Sequence, residues 1–369
     1  MTLPTHTRAA VLRAHGAPLV TEEIPLPDRI EPGAALVRTD CATLCATDVH
    51  LWSGAMTFPG MLPMVLGHEM VGTVLAAGEG TVDALGRPVT AGSRIGWSES
   101  TCGHCHGCTV LRTPVACEHR GYGFLQRSDR HPYATAGLAE HAYVTPGAQK
   151  YLLPEEVEDT WAAAAGCAVK TVLHAFDRAG GTRPGSSVVI QGAGALGIVA
   201  TAVAKAGGAG PVITIGAPKR RLDLAEEFGA DLVLGLDEGP AARKEAVLAA
   251  TGGRGADLVI DLAGAPGVGA EAVDLAAWGG RFVVVGTTGP APQEIPLGTV
   301  MGKELTVLGS LNGDVGDYHR AIGFLRDFRS RFDWDALFGE PVGLSGATAA
   351  VEAMSRLEQT KAVVDPRLP

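Results

Sequence analysis

The chain has 369 residues, 46% of them hydrophobic and 19% charged, with a formal net charge of −10. This balance supplies a large core, excludes a disordered chain and suggests two domains. The 30 Lys and Arg are scattered among 40 Asp and Glu, so no basic stripe tracks a phosphate backbone and nucleic acid is not an expected partner. No run of about 18 uncharged apolar residues offers a membrane span, and the N-terminus lacks the basic-then-apolar pattern of a secretory signal. In a long chain of this kind the seven cysteines read as metal ligands in a cytoplasmic protein, not as disulfides.

The first part of the chain, to about residue 166, is β-rich. Short apolar or alternating runs at 8–12, 34–39, 71–76, 94–97 and 139–144 are separated by Gly and Pro clusters, the spacing of a barrel or sandwich. Residues 121–137 read as a long loop. The pattern changes after Pro154: 161–179 is Ala-rich and reads as helix. Strands at 188–190, 212–215, 232–234, 258–262, 282–285 and 305–308 then alternate with helices at 196–206, 219–228 and 241–250. Such alternation argues a doubly wound parallel sheet. The segment from Tyr318 to Leu357 reads as mainly helical.

Three motifs carry chemistry. Gly192-Ala193-Gly194-Ala195-Leu196-Gly197 follows an apolar strand and opens an Ala-rich helix. Its glycines allow a tight turn, close approach of a pyrophosphate and close packing of helix on strand, with the helix N-terminus facing the phosphates. An acid about 20 residues on would hold the ribose of NAD, but that place is Gly216, followed by Lys219, Arg220 and Arg221. Those cations suit a 2′-phosphate or an ordinary solvated helix start. Cys102, Cys105, Cys108 and Cys117 form the second motif. Four thiolates close a tetrahedral zinc site with no vacancy, so its role is structural; His104 and His106 are expected to face solvent. Third, Cys45, His68 (within Leu66-Gly67-His68-Glu69) and Cys167 offer soft and borderline donors that suit one zinc. Three protein ligands leave a fourth position open for water or substrate.

The set Cys45-x-Thr47-Asp48-x-His50, Gly67-His68-Glu69-x-x-Gly72, the four-cysteine lobe, Gly166-Cys167 and the glycine turn resembles, along nearly the whole chain, the zinc-dependent alcohol dehydrogenases of the medium-chain dehydrogenase/reductase superfamily. The resemblance implies an α/β plus β architecture: a GroES-like β-barrel catalytic domain (1–166 and 310–369, zinc lobe about 98–120) and a Rossmann doubly wound parallel-sheet domain (167–309). It implies Cys45, His68 and Cys167 as catalytic-zinc ligands, the Cys2His set established for alcohol dehydrogenases. Glu69 would sit behind the metal, and Asp48 would orient His68. Thr47 and His50 would relay the substrate proton. Thr171 and Leu196 would line the nicotinamide site, and Gly192, Gly194, Gly197, Gly216, Arg220 and Arg221 would meet the rest of the cofactor.

The chain departs from better-known members in its lobe, which is one residue longer before Cys117, and in Ala46, where a basic residue often stands. The expectation is two Zn2+ per chain, NAD in preference to NADP, and reversible oxidation of a primary or secondary alcohol to an aldehyde or ketone by a homodimer or homotetramer. Two other readings share the fold: a zinc-free reductase of activated double bonds or quinones, and a non-catalytic nucleotide-binding protein. Trp52, Phe58, Trp97, Tyr122 and Tyr133 are candidate pocket walls.

Overall fold

The computed structural model describes residues 3–286 and 293–369. The chain divides into two compact units, Met1–Cys167 with Asp314–Asp327 and Trp334–Pro369, and Ala168–Gly313 with Phe328–Asp333.

The first unit is built on antiparallel strands: β1 (His6–Leu12), β2 (Val20–Pro25), β3 (Ala35–Thr43), β4 (Met64–Val65), β5 (Glu69–Ala77), β6 (Arg94–Ser100), β7 (His141–Val144) and β8 (Ala148–Leu152). One small sheet runs β2-β1-β4, and the larger sheet runs from a late strand through β3-β5-β6-β8, with β7 also on β3. Side chains that point inward, among them Leu12, Val37, Met64, Leu66 and Ile95, are fully or almost fully buried in one core. Each such Leu, Val or Ile contributes about 1.5–3 kcal/mol by leaving water. Besides the two-residue strands β4 and Val363–Val364, two longer strands of this unit were not expected from the sequence. β2 carries Glu22 and Glu23 and is largely exposed, and β8 carries Gln149 and Lys150, so neither announces itself by apolar alternation.

The second unit holds β9 (Val188–Gln191), β10 (Val212–Gly216), β11 (Leu232–Gly235), β12 (Ala256–Asp261), β13 (Ala276–Val284) and β14 (Thr306–Gly309), all parallel, in the order β11-β10-β9-β12-β13-β14. This is the doubly wound dinucleotide order, whose ligand crevice lies beyond the strand ends at the switch point. The switch falls at β9, whose Val188, Val189 and Ile190 are 0% exposed, as a strand covered on both faces requires. β13 begins six residues before the apolar run at 282, because Trp278, Gly279 and Gly280 interrupt the pattern while the backbone continues.

The last strand, β15 (Val363–Val364), returns to the first unit and pairs antiparallel with β3, Val363 against Thr43 and Val364 against Ala42. The stretch expected as one helix over 161–179 is helical at Asp159–Ala164 and Lys170–Arg178, with a π turn at Ala165–Val169 between them. Single π turns recur at functional sites, and this one carries Cys167. Among the described residues no helix is long and apolar enough to cross a membrane.

Candidate metal centres and dinucleotide turn

Three separate elements deliver Cys45, His68 and Cys167. Cys45 is the N-cap of helix Ala46–Ser53; its Sγ accepts the Thr47 N–H, and Asp48 returns a bond to the Cys45 N–H in a reciprocal cap. His68 stands between β4 and β5. Asp48 ties the two together, since its Oδ2 accepts from Cys45 N and its Oδ1 from Gly67 N, each at 2.9 Å. That same Oδ1 lies 3.5 Å from His68 Nδ1, long for a hydrogen bond but close enough to orient and polarise the ring.

Cys45 Sγ and His68 Nε2 are 3.1 Å apart, and one donor atom each from Cys45, His68, Glu69 and Cys167 lies within 4.8 Å of the others. Ligands 2.3 Å from a tetrahedral zinc sit about 3.8 Å from one another, so this spacing and this donor set fit that ion. The Cys167 thiol beside Cys45, and then the His68 charge, hold Cys45 well below the usual thiol range. Burial pulls His68 down, but the Cys45 thiolate and Asp48 outweigh it and raise the imidazole.

Glu69 is 0% exposed. Its Oε2 accepts from Thr43 Oγ1 and from Lys361 Nζ, while Oε1 has no hydrogen-bond partner. Burial pushes this carboxyl up and Lys361 opposes the shift. Lys361 is itself 1% exposed and also donates to Leu44 O at 3.3 Å. The sequence reading missed Lys361 and Thr43. The antiparallel pairing of β15 with β3 carries Lys361 to the cluster across nearly the whole chain, and nothing local to residue 361 signals it. Thr47 and His50 lie three residues apart on one helix and so share a face; both are half-buried.

The second cluster is local. Cys102, Cys105, Cys108 and Cys117 bring their sulfurs within 4.8 Å of one another. Cys102 and Cys117 are 3.7 Å apart, close to the tetrahedral expectation. The loop folds on itself tightly enough that a side chain at Gly107 would put its Cβ 2.3 Å from Ala116 O. N–H groups of Cys108 and Glu118 point at Cys105 and hold its thiol down to about 6, whereas burial pushes Cys108 up to about 12. His104 and His106 are exposed.

In the second unit the glycine turn joins β9 to helix Ala195–Ala206, with Gly194 as N-cap. Gly192 has φ +115, and a Cβ on Gly197 would stand 1.7 Å from Gly192 O, so both places require glycine. Leu196 is half-buried and Thr171 is 5% exposed. Gly216 ends β10, and a Cβ there would lie 2.6 Å from Ala193 Cβ and 2.7 Å from Ala193 N. The absence of an acid at 216 is therefore built into how β10 packs on the turn. The three cations beyond it differ: Lys219 pairs with Asp223 at 2.5 Å, Arg220 is exposed and Arg221 is 7% exposed.

A unit of antiparallel strands with two sulfur-rich clusters, continued in the same chain by a dinucleotide fold, is the organisation of a zinc-binding dehydrogenase. Residues 31–155 match the alcohol dehydrogenase GroES-like domain, and residues 195–327 match the zinc-binding dehydrogenase domain. The chain is 33% identical over 370 residues to 5-exo-hydroxycamphor dehydrogenase of Pseudomonas putida, covering 98% of this chain and 99% of that protein. It superposes on the crystal structure of an alcohol dehydrogenase from Thermotoga maritima with a TM-score of 0.89 at 30% identity, covering 98% of this chain and 99% of that one. A protein of Sinorhizobium meliloti 1021, solved as a zinc-binding dehydrogenase bound to NADP, matches with a TM-score of 0.84 at 26% identity over 98% and 100% of the two chains. The chain belongs to the zinc-dependent alcohol dehydrogenase family of the medium-chain dehydrogenase/reductase superfamily. It is an alcohol oxidoreductase whose substrate is a small alcohol or carbonyl compound.

Proposed function

We propose that this enzyme interconverts a primary or secondary alcohol and its aldehyde or ketone using two zinc ions and a nicotinamide dinucleotide. Cys45, His68 and Cys167 hold the catalytic zinc, and Cys102, Cys105, Cys108 and Cys117 hold the structural one. The observation that carries the reading is the meeting of Cys45, His68, Glu69 and Cys167 donors within 4.8 Å. When bound, zinc supplies a Lewis acid for the substrate oxygen and the dinucleotide supplies the hydride carrier.

The chain's own residues do the rest. Asp48 keeps the N-cap of Cys45 and the Gly67-His68 backbone in one rigid piece, which fixes the ligand geometry. Glu69, neutralised by Lys361, backs the cluster with a carboxylate oxygen in reach. The Thr47 hydroxyl takes the alcohol proton, and His50, on the same helix face, passes it towards solvent; histidine is the side chain suited to that exchange near neutral pH. Gly192, Gly194 and Gly197 receive the pyrophosphate. Thr171 and Leu196 line the nicotinamide, and Gly216, Arg220 and Arg221 meet the adenosine ribose. NAD is the preferred form on this reading. The protein is a homodimer or homotetramer and works in the cytoplasm, where seven free cysteines stay reduced.

The experiment is a panel of alcohols and carbonyls with NAD(H) and NADP(H), followed at the nicotinamide absorbance before and after chelation of zinc. Turnover that is lost with the metal and restored by it supports the reading. Dinucleotide binding without turnover on any substrate would overturn it.

A further inference from the structure

The short helix that leads to Cys167 is fastened along its length by side chains of the first unit. At its entry, Arg94 on β6 donates from Nε to Asp159 Oδ1 at 2.8 Å, from Nη1 to Pro154 O at 2.9 Å and from Nη2 to Val157 O at 2.6 Å. On its first turn, Trp161 Nε1 donates to Asp335 Oδ1 at 2.7 Å. Two residues beyond Arg94, Gly96 makes room for the side chain that fastens the far end, since a Cβ there would stand 2.0 Å from Tyr318 Oη. Trp97, the next residue and a candidate pocket wall in the sequence, is instead 3% exposed within the core of this unit.

Tyr318, on helix Val315–Asp327, is 0% exposed. Its hydroxyl donates to Ala162 O at 2.9 Å, just ahead of the π turn Ala165–Val169 that carries Cys167. A π turn departs from the regular i to i−4 ladder, and a buried carbonyl beside such a break is costly to leave without a donor. The same end of the ring reaches the turn itself: a Cβ on Gly166, the residue before Cys167, would lie 3.9 Å from Tyr318 Cζ and Oη. Burial pushes the phenol above its ordinary range, with Arg94 opposing and Glu69 adding to the shift, so the hydroxyl keeps its proton and donates.

Tyr318 is held in turn by Tyr151 on β8. The two rings meet edge-on at 4.1 Å, and the Tyr151 hydroxyl donates to Val315 O at 2.8 Å. Tyr151 also lies directly across from Gly96 in the pairing of β8 with β6. One pair of strands thus sets both the space for the phenol and the start of the helix that bears it.

Asp48 ties Cys45 to the Gly67-His68 backbone, but Cys167 comes from another part of the chain and has a different anchor. Resting on the zinc reading above, we propose that Tyr318 is the positioning residue for Cys167: its hydroxyl pins Ala162, its ring backs Gly166, and together they hold the third zinc sulfur in place.

The test uses the zinc-loaded enzyme. Affinity for each of the two zincs is measured by competition with a chelating dye, and the thiolate-to-metal charge-transfer band is recorded after Co2+ replaces the catalytic zinc. In Y318F, which keeps the ring and loses only the hydroxyl, affinity for the catalytic zinc falls by roughly tenfold or more, as expected when an outer hydrogen bond to a metal site is removed. The charge-transfer band shifts, and the lobe zinc is held as before. V89A, a truncation in the core of the same unit, lowers the urea midpoint but leaves affinity and band at their wild-type values. Should Y318F fold poorly, Y151F, which frees the start of the Tyr318 helix, changes affinity and band in the same direction. Wild-type affinity and band in the tyrosine variant, or the same changes in V89A, overturn the role of Tyr318 alone. A zinc content that C167S leaves unchanged overturns that role together with the zinc reading beneath it.

Discussion

Cys102, Cys105, Cys108 and Cys117 come from one stretch of loop, whereas Cys45, His68 and Cys167 come from a helix cap, a strand junction and a π turn. The lobe closes by short-range means: backbone N–H groups aimed at sulfur, a glycine where Ala116 O passes, and an ion pair, Glu99 with Arg120, whose two partners both come from the same stretch of chain. The other cluster depends on the completed fold. It includes a carboxylate that would be expensive to bury, and it is neutralised by Lys361 from the far end of the sequence. A local cluster can be assembled by its metal; a distributed one is assembled by packing, so its ligands are held in place before a metal arrives.

That contrast sets different costs for breaking each cluster. Cys45→Ser has the largest expected effect on activity: turnover falls by roughly 10³-fold or more, the loss of several kcal/mol of charge stabilisation. NADH binding, followed by nicotinamide fluorescence, stays within about twofold. Lys361→Ala leaves Glu69 buried without its cation, and stability measured by urea unfolding falls by about 3–5 kcal/mol. Loss below 1 kcal/mol would show that the ion pair is not what supports the distributed site.

Cys117→Ser acts on the lobe alone. Zinc content drops from two to one per chain and Tm falls by roughly 5 °C, with kcat reduced far less than in Cys45→Ser. Equal loss of activity in the two variants would erase the distinction between the clusters. Asp48→Asn removes an acceptor from the Cys45 or Gly67 N–H and lowers affinity for the catalytic zinc by roughly 10- to 100-fold in chelator competition, with lobe zinc untouched. The smallest effect is a pH-dependent one. In metal-free protein, Cys105 alkylation by iodoacetamide rises as pH passes about 6, because N–H groups already stabilise its thiolate, whereas Cys108, pushed up to about 12, stays slow at neutral pH. Equal rates would show that the loop does not prearrange its sulfurs.

The sequence discloses what is local. Four cysteines at short spacing, a glycine turn between a strand and a helix, and alternating strands and helices were enough to state the fold class, and the family followed once Cys45-x-Thr47-Asp48-x-His50, Gly67-His68-Glu69-x-x-Gly72 and Gly166-Cys167 were added. Gly216 was legible as a missing acid, but not as a glycine demanded by contact with Ala193. What stayed hidden is what long-range pairing creates. Lys361 reaches Glu69 only because β15 pairs with β3, and Tyr318 reaches Ala162 only because the chain returns to the first unit at Asp314. The exposed strand β2 and the polar strand β8 were invisible for a related reason, since their place is set by partners and not by their own alternation.

The central claim is that Cys45, His68 and Cys167 share one zinc, distinct from the zinc of the lobe. Anomalous diffraction at the zinc edge from crystals of the purified enzyme tests it directly. Two peaks per chain are predicted, one about 2.3 Å from the sulfurs of Cys45 and Cys167 and about 2.0–2.1 Å from His68 Nε2, the other among the four lobe cysteines. A single peak confined to the lobe would contradict the account.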